Sequence, residues 1–174
     1  MRVAVFRVGA EQAERWADEV WTVYDTVFGD VADRAEWQET LDRHAGRGGF
    51  RVALALQDDV LVGFGYGYTG SRGEYWSDRA AAALGPELAD AWVGGHFELV
   101  ELAVLRAFRG RGLGGRLHDV LTADLPHERA LLSTSLEEDP AVRLYLARGW
   151  RRIGRLGPDV QILGLRPSAG SGAS

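Results

Sequence analysis

The stretch FELVELAVLRAFRGRGLGGRLHDVLTADL, Phe97 to Leu125, decides how the rest of the chain is read. Its first eight residues form an apolar run that reads as a strand. Leu113, Leu117, Val120 and Leu121 then share one face at the helical period, and Pro126 marks a stop. Between the two, Gly110, Gly112, Gly114 and Gly115 interleave with Arg109 and Arg111. A glycine inside a helix costs about 1 kcal/mol relative to alanine, so Gly112, Gly114 and Gly115 at a helix start call for a compensating interaction. A bound anion supplies one. The first-turn N–H groups lack intrahelical acceptors, the helix dipole is positive there, and missing side chains let a phosphate reach the backbone. The chain carries 23 Gly in 174 residues, so glycine pairs also arise by composition. The two arginines woven into a strand-to-helix turn favour the anion.

Length and composition fit one ordinary globular domain, over residues 1–167, with 46% hydrophobic and 26% charged residues. The terminal PSAGSGAS has nothing to bury, and residues 168–174 are expected to be disordered. With no Cys there is no disulfide framework, thiolate nucleophile or Cys-based metal site. The start MRVAVFRV is too short and too charged for a signal peptide, and no apolar run approaches a membrane span, so a cytoplasmic protein without a membrane partner is expected. A net charge of -5 argues against nucleic acid as a partner and suits a cationic small substrate. His44, His96, His118 and His127 show no metal-ligand spacing, so no metal is expected.

Outward from the central stretch, Arg2 to Val8 reads as a strand and Glu11 to Phe28 as one helix, with Val20, Tyr24 and Phe28 on its buried side and Gly29 closing it. Asp33 and Glu36 have capping-box spacing for a second helix ending at Gly46. A hairpin turns at Asp58 and Asp59, and its second strand alternates Gly63, Gly65 and Gly67 with bulky residues. That bare stripe expects a tightly packed helix first and a ligand second. Ser71 to Gly95 reads as an irregular insertion whose Tyr75, Trp76 and Trp92 suit a substrate pocket, a local mini-core or a homodimer surface. Ala130 to Ser135 is a further strand; Asp139 with Pro140 starts a helix running to Gly149, and two strands close the fold.

Gly110, Gly112 and Gly115 also satisfy G-x-G-x-x-G, with Glu137 or Glu138 about 20 residues on, as in a dinucleotide-binding fold. Four residues separate the strand from the first glycine, arginines crowd the turn, and too little chain follows for repeated units. A Walker loop fails for want of a Lys-Ser/Thr pair.

The sequence resembles the Gcn5-related N-acetyltransferase superfamily. Its R/Q-x-x-G-x-G/A signature stands as Arg109, Gly110, Arg111, Gly112, Leu113, Gly114 after a strand end Leu102, Ala103, Val104. A second signature, N-P-A-x-x-L-Y-x-x-x-G-F, runs from Asp139, Pro140 and Ala141 through Leu144 and Tyr145 to Gly149 and Trp150, with Asp in place of Asn. The resemblance implies an α/β (α+β) fold: a mixed, mostly antiparallel central sheet flanked by helices, with splayed strands forming an acyl-CoA cleft. It implies acetyl-CoA or another acyl-CoA as co-substrate, its pyrophosphate on the amides of Arg109 to Gly115 and its pantetheine along Leu102, Ala103 and Val104, near Asp139. Tyr145 matches the tyrosine whose hydroxyl protonates the leaving thiolate.

The chemistry sets its own demands. An amine near pKa 10 must lose a proton before it attacks, and a departing thiolate must gain one. Glu98, six residues before Val104, stands where relatives often carry a base, and Glu101 is a second candidate. Both sit in apolar rows, and burial raises a carboxyl pKa toward a useful value. The acceptor, a small-molecule or peptide amine, is expected against the variable segments, with Tyr24, Phe28 and Trp76 as binding residues. The rival reading is an acyl-CoA-binding regulatory domain without turnover.

Overall fold

A computed structural model describes residues 2–167; the tail expected to be disordered, 168–174, lies outside the described residues. The strands are β1 Val3–Val8, β2 Arg51–Gln57, β3 Val60–Gly70, β4 His96–Val104, β5 Ala130–Ser135, β6 Arg151–Arg155 and β7 Val160–Leu165. The helices are α1 Ala10–Arg15, α2 Ala17–Val27, α3 Arg34–Ala45, α4 Tyr75–Leu84, α5 Pro86–Trp92, α6 Leu113–Thr122 and α7 Pro140–Ala147. The strands hydrogen-bond in the order β1-β2-β3-β4-β5-β7-β6. The β1/β2, β2/β3, β5/β7 and β6/β7 pairs are antiparallel. The β4/β5 pair is parallel and joins only Phe97 with Ala130 and Glu98 with Leu131. The sheet is thus mixed and mostly antiparallel, as expected. None of the described helices is long and apolar enough to cross a membrane.

Two compact units divide the described chain, the first running to Tyr68 and including Val100–Ala123, the second Thr69–Leu99 with the chain from Asp124 onward. In the first unit, Val20, Val23, Tyr24, Trp37 and Leu41 from the helices meet Leu54, Phe64, Tyr66 and Ala103 of the sheet in one core. The opposite face is the glycine stripe. A Cβ on Gly63 would come 3.1 Å from Leu117 Cδ1, and one on Gly65 would come 3.5 Å from Leu121 Cδ2. The nearest atoms belong to β4, Ala103 O at 2.9 Å from a Cβ on Gly63 and Leu102 Cδ1 at 3.0 Å from one on Gly65, so that strand and then the packed helix α6 take up the stripe. In the second unit, Ala80, Ala89, Val93, Leu131 and Ile162 form a core on which Trp76 and Trp92 pack. Trp92 lies on Gly164, where a Cβ would come 2.7 Å from its ring. The mini-core alternative holds for these two tryptophans, while Tyr75 stays exposed.

Three local expectations need correction. The single helix expected from Glu11 to Phe28 is two, because Trp16 sits at φ -101°, ψ 8° between α1 and α2 and packs on the core. No Gly or Pro marks that break, and a hydrophobic period does not report it. Phe28 is the C-cap of α2 and 40% exposed, where the helical period had put it inside. The helix starting at Leu113 ends at Thr122, ahead of Pro126, because Arg7 and Arg51 both donate to the carbonyl of Ala123, at 2.6 and 2.8 Å. Cations at a helix C-terminus satisfy its orphan carbonyls and oppose its dipole.

Candidate functional site

The glycine turn begins where Leu105 N–H donates to Val62 O at 2.9 Å and a short 3-10 turn, Arg106–Phe108, lifts the chain off the strand. Gly110 and Gly112 both have φ 75°, a left-handed conformation that side chains disfavour. Gly112 is the N-cap of α6 and lies outside the helix, so only Gly114 and Gly115 dilute it. No side chain caps the helix, and a Cβ at Gly110 or Gly112 would meet nothing within 4 Å. Phe108 and Arg109 donate to Leu105 O and Arg106 O at 2.8 and 3.2 Å, and past them Arg116, bonded to Gly112 O at 3.1 Å, is the first amide among the described residues to find a backbone acceptor. Open amides, bare space and an uncompensated positive helix end fit the anionic part of an acyl-CoA. Arg109 and Arg111 are tethered beside it: Arg109 Nε donates to Val104 O at 2.9 Å, and the Arg111 guanidinium lies 5.6 Å from the Phe108 ring. Leu102 and Ala103 are used in packing, their atoms closing over Gly65 and Gly63.

On the other side of β4 in the same unit, the carboxyl of Glu101 makes no hydrogen bond among the described residues. Burial, aided by the charge of Asp30, pushes its carboxyl up to about 8. Tyr24, on α2, is buried and donates from its hydroxyl to Asp30 Oδ1 at 2.7 Å. Its phenol is pushed above the usual range by burial first, then by that hydrogen bond and by the charges of Glu101 and Asp30. The Phe28 ring lies 5.0 Å from the Tyr24 ring. Tyr24, Phe28 and Glu101, named separately from the sequence, thus belong to one constellation, and Asp30 is the member the sequence reading missed. A signal was present. An acid just past a helix C-terminus works against the helix dipole, so Asp30 following Gly29 is placed for some purpose other than helix stability.

Glu98 has different surroundings, in the second unit. It is 5% exposed, and its Oε2 lies 3.9 Å from Nε2 of the fully buried His96. Gly94 N–H donates to His96 Nδ1 at 3.0 Å, which leaves the ring proton on Nε2, facing Glu98. The His96 ring fills the space a Cβ at Gly70 would need and lies 6.1 Å from the Trp76 ring. Trp76 in turn donates from its indole N–H to Ser133 Oγ at 3.2 Å. Asp139 caps α7, accepting from Val142 N–H at 2.9 Å. Tyr145, a turn and a half further on, is buried with its ring edge-on to Trp150 at 5.9 Å. No group of three or more His, Cys, Asp and Glu among the described residues could hold a metal ion.

The pattern of the Acetyltransferase (GNAT) family matches residues 12–150. The GCN5-like protein acetyltransferase Rv2170 of Mycobacterium tuberculosis is 31% identical over 154 residues, covering 82% of this chain and 71% of the relative. PH1933 from Pyrococcus horikoshii shares the fold at a TM-score of 0.70 and 15% identity, covering 97% of this chain and 100% of that one. So does the PaiA N-acetyltransferase of Thermoplasma acidophilum, solved with coenzyme A, at a TM-score of 0.58 and 10% identity over 95% of this chain and 99% of that one. On the family pattern and the 31% relative, this chain belongs to the acetyltransferase (GNAT) family.

Proposed function

We propose that this protein transfers an acetyl group from acetyl-CoA to a primary amine of a small molecule or peptide, by direct attack within a ternary complex. The observation that carries the reading is the open glycine turn at the uncapped start of α6, entered from a strand that holds Glu101, a half-buried carboxyl pushed up to about 8. A base with a pKa near the working pH removes a proton without holding it too tightly. The co-substrate supplies an activated acetyl group and a thiolate leaving group. The amides of Gly110 to Gly115, with Arg109 and Arg111, hold its phosphates. Glu101 accepts the ammonium proton, the freed nitrogen forms the bond to the acetyl carbon as the carbon–sulfur bond breaks, and the nitrogen then sheds its second proton, which balances the one delivered to sulfur. Tyr145 is assigned the return of a proton to sulfur, on its place in the second family motif. Glu98, beside His96, is the alternative base.

Thiol release from acetyl-CoA, measured against a panel of alkylamines, amino acids and peptide N-termini, tests the proposal. Release with at least one acceptor is expected. Tight CoA binding with no release across the panel would replace it with the reading of an acyl-CoA-binding regulatory domain.

A further inference from the structure

Glu101 serves the reaction, but nothing in acetyl transfer itself requires the Tyr24–Asp30 pair. Asp30 is exposed, one oxygen is fixed by the buried Tyr24 hydroxyl, and among the described residues no cationic side chain pairs with it. An exposed carboxylate costs chain entropy to hold in place, and a tyrosine placed to hold one near a second, unbonded acid raises the local negative potential. Glu101 is that second acid, and the influence of Asp30 reaches it. Phe28 adds a ring, 40% exposed, whose face attracts a cation. Two acids and an aromatic ring without a cation of their own form an arrangement completed by positive charge from outside.

Resting on the acetyltransferase reading, we infer that Asp30 is a specificity-determining residue which anchors a second positive charge of the acceptor while Glu101 faces the amine that reacts. The acceptor class is therefore a diamine, or an amine with a further cationic group a short chain away. A monoamine leaves Asp30 without a partner. A diamine satisfies it with a charge-assisted hydrogen bond, the stronger kind of contact. Tyr24 acts through Asp30, by fixing which oxygen the cation finds.

Calorimetry on the CoA-loaded protein tests this, with putrescine and cadaverine as probes against butylamine and pentylamine. The parent should bind each diamine about tenfold tighter than the monoamine of the same length, the effect of one added charged contact. Asp30→Asn should erase that preference, bringing each diamine to the affinity of its monoamine, while leaving CoA affinity unchanged, and Tyr24→Phe should reduce it in part. Equal affinities in the parent, or a preference that survives Asp30→Asn, would overturn the inference. Thiol release followed in parallel separates the two readings. A charge preference without release would uphold the recognition role and overturn acetyl transfer; release without a charge preference would overturn the recognition role alone.

Discussion

Arg109 Nε donates a 2.9 Å hydrogen bond to the carbonyl of Val104, tying the glycine turn back to the end of the strand it leaves. One N–H of the guanidinium is spent on the backbone, and the exposed remainder carries the charge beside the open amides. A lysine cannot hold the strand end and face a phosphate at once. Arg109→Lys should weaken CoA binding about tenfold and Arg109→Ala more, with little change in thermal midpoint, since an exposed side chain contributes little to folding. Calorimetry with CoA checks this, and unchanged affinity in both variants would remove Arg109 from the phosphate site.

Gly112 offers a cleaner test of the phosphate cradle. Its φ of 75° would strain a branched residue such as valine, mixing a folding effect with a binding effect. Asparagine tolerates that conformation better than most residues, and its side chain would project into the open space found there. Gly112→Asn should therefore keep its thermal midpoint within a few degrees of the parent and lose CoA affinity by at least about tenfold. Intact affinity would mean that the glycine serves the turn alone.

Tyr145→Phe keeps the ring edge-on to Trp150 and removes only the hydroxyl. Stability should fall by no more than about 0.5 to 1.5 kcal/mol, one hydrogen bond's share. If the phenol protonates the departing thiolate, kcat should fall toward the lower end of the roughly 10²- to 10⁴-fold typical of general acids, because water substitutes in part for so good a leaving group. KM for acetyl-CoA should stay nearly constant. A raised KM at unchanged kcat would make Tyr145 a binding residue.

The strands and caps were legible because they depend on local rules, alternation and capping, while the two signatures were legible through their resemblance to a family pattern. The Asp139 cap, the Asp33 cap and the full span of Ala130–Ser135 followed from those rules. What escaped was tertiary. The break at Trp16 depends on where a large ring docks, and the early end of α6 depends on Arg7 and Arg51, which lie more than 70 residues away. The two glutamates looked alike, since both alternate within apolar rows. Their difference lies in their neighbours: for Glu101 the sequence-distant Asp30, and for Glu98 the nearby His96, whose tautomer is set by a backbone amide. Alternation reports which face a side chain takes, and says nothing of what meets it there.

Glu101 makes the sharpest prediction, because its raised carboxyl links catalysis to stability. Folding holds the proton on Glu101 up to about 8, whereas the unfolded chain releases it near the ordinary value of 4.5. Below 4.5 both states are protonated; between the two values the folded state binds more protons, so stability falls as pH rises and levels off above about 8. Glu101→Gln stays neutral throughout and escapes that loss. Denaturant midpoints of variant and parent, compared from about pH 5 to about pH 9, should therefore diverge in the variant's favour as pH increases. Activity should move the opposite way. The parent's kcat/KM should rise with pH through the range near 8 as the base ionises, and Glu101→Gln should lose that limb together with most of its turnover. Asp30→Asn removes the second cause of the raised value, so its acidic limb should move to lower pH. Glu98→Gln should leave the limb in place. If the limb survives in Glu101→Gln and vanishes in Glu98→Gln, the base is the carboxylate beside His96.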